Sequence, residues 1–112
     1  MEGIAKLRFA RGSARKFRRV AELIKGKNVE EALNILHFSN KAASLPLEKT
    51  LRSALANLLN EEGTKVETEN LSVQNVVVDA GPMAKRFRPA PMGRAMRIRK
   101  RYSHITIAVG DN

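Results

Sequence analysis

The sequence predicts an α+β fold: three helices packed on a small antiparallel three-stranded sheet, with a long β-hairpin projecting from it. Three observations lead there. Residues 4–11 alternate in polarity at the period of a strand. Three stretches between Ser13 and Gly63 carry apolar residues at helical spacing. Two β-rich runs, residues 71–79 and 97–109, flank a segment that holds three of the four prolines.

In the first strand Ala5, Leu7 and Phe9 fall on one side and Lys6, Arg8 and Ala10 on the other, so the former are expected to be buried. Gly12-Ser13 breaks the strand. Ser13 is a good N-cap, because its hydroxyl can accept a free N–H of the first helical turn. Ala14, Phe17, Val20, Ala21 and Ile24 then recur on one helical face, and Gly26 is a natural stop. Asn28-Val29-Glu30-Glu31 reads as a capping box with Glu31 at the third helical position. Ala32, Leu33 and Leu36 continue the apolar face to about His37. The third helix presents Leu47, Leu51, Ala54, Leu55 and Leu58, runs to about Asn60 and ends at Gly63. Pro46 leaves two starts open: near Ser44, or near Lys41 with the proline in an early turn.

The two C-terminal β runs should pair and extend beyond the rest of the fold. Residues 1–112 read as one domain, with the hairpin extension at about 79–102. Each arm has about eleven residues, which at ~3.3 Å per residue reaches about 35 Å. Such a hairpin is marginal alone in water, and its low apolar content predicts ordering on a partner.

Charge is segregated along the chain. The formal net charge is +10. Residues 1–25 hold eight Lys/Arg against Glu2 and Glu22, residues 26–79 hold five basic against eight acidic residues, and residues 80–112 hold eight basic against Asp111. Two basic ends therefore flank a mildly acidic middle, and residues 80–101 contain no acid. A protein charged only for solubility intersperses its signs, so this pattern points to a polyanion partner, which relieves the self-repulsion.

The chemistry of catalysis is missing. There is no cysteine, which excludes a disulfide framework, a thiolate metal site and a cysteine nucleophile. No metalloprotease, P-loop, dinucleotide or nucleophile-elbow motif occurs. Glu30-Glu31 and Glu61-Glu62 fit a helix cap and a solvated helix end. No catalytic residue, metal or cofactor is expected. No apolar leader or run of about 20 apolar residues appears, so the expected setting is cytosolic, without a membrane.

Candidate contacts cluster in two places. Arg97, Arg99 and Arg101 occupy alternate strand positions and form a row spaced roughly 6–7 Å apart, close to the interval between successive phosphates. Lys100 adds charge on the opposite face. At the tip, Met83, Phe87 and Met92 have no core to enter, and Phe87 between Arg86 and Arg88 suits stacking on unpaired bases. Lys85 and Arg94 belong to the same arm. The second cluster joins Arg8 and Arg11 on the strand to Arg15, Lys16, Arg18 and Arg19 on the first helix, where the dipole disfavours cations unless an anion offsets them. His104 could hydrogen-bond a phosphate or base, or serve as a structural histidine. His37, at a helix C-terminus, reads as a dipole partner.

Specific motifs now carry a likeness. Gly81-Pro82-x-x-Lys85-Arg86-Phe87-Arg88-Pro89, Gly93-Arg94-Ala95-x-Arg97-Ile98-x-Lys100-Arg101 and Ser103-His104-Ile105-Thr106 resemble the bacterial large-subunit ribosomal protein twenty-two family. So do Arg15-Lys16, Leu23-Ile24-x-Gly26-Lys27, Glu30-Glu31-Ala32 and Ser53-Ala54-x-Ala56-Asn57. The resemblance implies binding to 23S ribosomal RNA, a part in early subunit assembly, and a hairpin lining the polypeptide exit tunnel. It implies neighbouring large-subunit proteins and the nascent polypeptide as partners, and a monomer outside the ribosome. By position, Met83, Ala84, Lys85, Arg86, Phe87, Arg88, Pro89, Ala90, Pro91 and Met92 would form the tunnel tip. Arg94, Arg97, Arg99, Lys100 and Arg101 would grip RNA along the arm, with Arg15 and Lys16 doing so on the domain. Ala14 departs from the family's frequent proline, and Pro91-Met92 from a pair that is often Arg and a polar residue. Two competing readings are a dimeric DNA-bending protein with proline-tipped arms and an RNA-acting enzyme using His104.

Overall fold

The computed structural model describes the backbone of residues 2–62, 70–89 and 95–111, and the side chains of 2–60, 70–82 and 101–110. The elements run β1 (Glu2–Arg11), α1 (Ala14–Ile24), α2 (Val29–His37), α3 (Ser44–Glu62), β2 (Leu71–Pro89) and β3 (Ala95–Asp111). The strands form one antiparallel sheet in the order β1-β3-β2. The helices cover one face of it, so the fold is α+β, as the sequence predicts. Gly63 lies outside the described residues.

Packing follows the apolar spacing. Phe17, Val20, Ala21 and Ile24 of α1, Val29, Ala32 and Leu36 of α2, and Leu47, Leu51, Ala54 and Leu58 of α3 are all buried. They meet Leu71, Val73, Val76 and Val78 of β2 and Ile105, Ile107 and Val109 of β3 in one core. Leu33 and Leu55 pack at its margin.

The ends of the helices are chemically specified. Ser13 caps α1 by accepting the Lys16 N–H at 3.4 Å. Past α1, Gly26 turns through φ +80°, and its N–H donates to Val73 while Val73 donates back to Lys27. The α1–α2 connection thereby covers part of the outer edge of β2, which would otherwise offer free pairing groups. Asn28 caps α2 through the Glu30 N–H at 2.9 Å, while Glu31 forms an ion pair with Lys27 at 3.9 Å.

Of the two starts for α3, the structure takes Ser44. Pro46 is then the third helical residue, where a missing N–H costs no intrahelical bond. Its carbonyl accepts the Thr50 hydroxyl at 2.8 Å.

The first strand departs from simple alternation. Its pairing with β3 shifts between Leu7 and Ala10, which places an extra residue in β1. Ala5 is buried as expected, but Ala10 is buried in place of Phe9, which is 59% exposed. A β-bulge reverses which side chains face the core, and Phe9 takes φ +59° within it.

His37 does more than face a helix end: its Nδ1 lies 3.3 Å from Glu48 Oε1, which also accepts a 2.9 Å bond from Arg52. The Arg52 bond holds the Glu48 carboxyl below the usual carboxylate range; desolvation opposes this, and His37 adds to it. A carboxyl depressed in the folded state stabilises the fold at pH values above its ordinary value near 4.5, and this contribution is lost as pH falls through the folded value. Glu48→Gln should therefore lower the urea midpoint at pH 7, with the gap from the parent narrowing as pH falls below 4.5. A gap that persists unchanged at pH 3 would show that the ionised carboxylate is not the source.

Candidate nucleic-acid interface

The two basic clusters, far apart in sequence, meet in space at the start of α1. Gly12 N–H donates to the Arg101 carbonyl at 2.9 Å, and the buried Ser103 hydroxyl donates to the Gly12 carbonyl at 2.9 Å. These bonds fasten the β1–α1 turn onto β3. They bring Ser13, Ala14 and Arg15 opposite Ala80, Gly81, Arg101 and Tyr102 around a cavity of about 230 Å³. Among the described residues no acid lines it, and the first turn of α1 opens there. The N-terminal end of the α1 dipole and two arginines make this a region of positive potential suited to an anionic backbone.

The predicted contact residues fall into distinct settings. Arg8, Arg11, Arg15, Lys16, Arg19 and Arg101 are exposed. Arg18 is exposed too, but its Nε and Nη2 donate to the Val78 carbonyl at 3.1 and 2.8 Å. It thus ties α1 to the edge of β2, a structural use that charge alone did not reveal. Arg97, Arg99 and Lys100 lie on β3, paired with Phe87, Lys85 and Ala84, and the pairing continues to Pro89 with Ala95. Their side chains, with those of Met83, Ala84, Lys85, Arg86, Phe87, Arg88 and Pro89, lie outside the described residues, as do Ala90, Pro91, Met92 and Arg94 altogether.

His104 takes a structural bond at one nitrogen. Its Nδ1 accepts the Phe9 N–H at 3.1 Å, so the ring proton sits on Nε2. The ring meets Phe9 edge-to-face at 4.9 Å. Gly81 passes close by: a Cβ there would come within 3.0 Å of the Tyr102 carbonyl and 3.2 Å of His104 Nε2. Glycine spares β2 and β3 that crowding at this irregular point.

Among the described residues no three His, Asp or Glu side chains are grouped to hold a metal ion, and no helix is long and apolar enough to cross a membrane. The sequence reading missed the exposure of Phe9. The signal available was its place among Lys6, Arg8 and Arg11, the same basic–aromatic mixture singled out at Phe87.

Comparison with known proteins agrees with the motifs. The family model for ribosomal protein L22p/L17e matches residues 5–110. The large ribosomal subunit protein uL22 of Myxococcus xanthus is 46% identical over 111 residues, covering 99% of this chain and 97% of that protein.

Proposed function

The chain belongs to the ribosomal protein L22p/L17e family, structural proteins of the large ribosomal subunit, and on that premise we propose that it binds 23S ribosomal RNA through a continuous basic surface running from α1 onto the β2–β3 arm. Its place is then the cytoplasmic ribosome, among ribosomal RNA and neighbouring ribosomal proteins. The observation that carries the RNA reading is the meeting of Arg15 and Arg101 around a cavity at the base of the arm, with no acid among its described lining residues. Domain and arm thereby offer one surface to one polyanion. Phosphate neutralisation by Lys and Arg releases counterions, so the density of like charge becomes favourable only when RNA is bound.

The contacts proposed on the domain are Arg8, Arg11, Arg15, Lys16, Arg18 and Arg19; on the arm they are Lys85, Arg86, Arg88, Arg94, Arg97, Arg99, Lys100 and Arg101, with His104 at the junction. Arg18 contributes from a position fixed by Val78. The hairpin at about residues 79–102 extends one domain, and residues 83–92 at its end face the exit tunnel and the nascent polypeptide. The protein acts early in subunit assembly and is a monomer outside the ribosome.

Co-sedimentation with large ribosomal subunits tests the assignment, and competition with duplex DNA tests the RNA preference. Duplex DNA displacing a structured 23S fragment at equal concentration would refute it. Deleting residues 83–87 should leave incorporation into subunits largely intact while altering the tunnel. Failure of that variant to assemble would make the tip a structural requirement instead.

A further inference from the structure

We propose that Phe9 is a stacking contact for an unpaired RNA base, presented by the β1 bulge and held in place by His104. The inference rests on the RNA-binding reading above. An aromatic residue at φ +59° is a backbone outlier that persists only where its surroundings hold it. Here the holding groups are visible. His104 Nδ1 accepts the Phe9 N–H at 3.1 Å, and the imidazole meets the phenyl ring at an interplanar angle of 84°. In a T-shaped contact at least one face of the phenyl ring stays unstacked.

The bulge acts against burial. Unbroken alternation would have turned Phe9 into the core; instead it is 59% exposed while Ala10 takes the buried place. The setting selects the occupant. Lys6, Arg8 and Arg11 are exposed on the same strand, and Tyr102 and Thr106 are half-buried on the adjacent β3. Asp79, paired with His104, is the acid on the neighbouring part of β2. A base on the open ring face would carry its flanking phosphates toward Arg8 and Arg11, the combination of stacking and charge typical of single-stranded RNA sites. An apolar protein partner would match the ring but leave the three cations unanswered.

The chain has no tryptophan, so Phe9→Trp places a single reporter at the site. Its emission should be quenched by 23S rRNA. Phe9→Leu should weaken binding by roughly 5- to 100-fold with an unchanged dependence on salt, because stacking releases no counterions. Arg8→Ala should instead reduce the salt slope by about one. Unfolding of Phe9→Leu is measured in parallel, and a midpoint near the parent's supports a direct contact. Unquenched tryptophan in an RNA-bound sample, or parent-like affinity in Phe9→Leu, would overturn the inference and leave the RNA-binding reading standing. A change in emission produced by other ribosomal proteins but not by RNA would likewise overturn it. Failure of the parent chain itself to bind 23S rRNA would instead sink the reading beneath it.

Discussion

Replacing Arg97, Arg99 and Arg101 together with alanine should lower affinity for 23S rRNA by about 100-fold at 0.15 M salt. The figure follows from counterion release. Each phosphate contact contributes about 0.7 to 0.9 to the slope of log K against log salt, so three lost contacts remove about 2 to 2.7. Carried from 1 M to 0.15 M, that slope corresponds to roughly two decades in affinity. The three residues occupy alternate positions of β3, and Arg101 borders the cavity that also holds Arg15. The measurement is a titration at several salt concentrations. Parent and variant converging at high salt is the expected pattern. Parallel lines of equal slope would show that these arginines meet no phosphate.

Phe17→Ala should cost about 3 to 5 kcal/mol of folding stability. The side chain is 2% exposed and belongs to the core between α1 and the sheet. It also supports the turn that joins the two basic clusters. Gly12 runs over its ring at φ +147°, where an added Cβ would lie 2.8 Å from Phe17 Cε2. Removing the ring leaves a cavity under the residue whose N–H and carbonyl bond Arg101 and Ser103. Domains of this size hold about 5 to 15 kcal/mol in total, so the loss is a large share. Urea denaturation measures it. Arg15→Ala, exposed on the same helix, should change stability by about 0.5 kcal/mol or less. Equal losses in the two variants would mean that α1 is not held by its apolar face.

The two predictions separate the parts of the molecule that amino-acid order reveals from those it hides. Segregated charge needs no coordinates, because a missing acid is missing in any fold. Helix faces were legible for a similar reason: Phe17, Val20, Ala21 and Ile24 recur at the helical period, and each is buried. The caps at Ser13 and Asn28 were legible because the groups they satisfy lie within three residues.

The Phe9 bulge was not legible. Periodicity assigns faces only while the register is unbroken, and the extra residue in β1 is defined by pairing with residues about 95 positions away, where His104 accepts the Phe9 N–H. The start of α3 belongs to the same class. Pro46 permits either start as local chemistry, and the structure selects Ser44, whose N–H donates to the Lys41 carbonyl at 3.1 Å. Arg18 is a third case, since only the approach of α1 to β2 gives its guanidinium the Val78 carbonyl. Sequence alone determined the α+β class, the helix faces and the two basic segments, because these depend on composition and near neighbours. Tertiary structure decided which segments meet, where the β1 bulge falls and that Arg18 is tied to β2, because those depend on hydrogen bonds between distant residues.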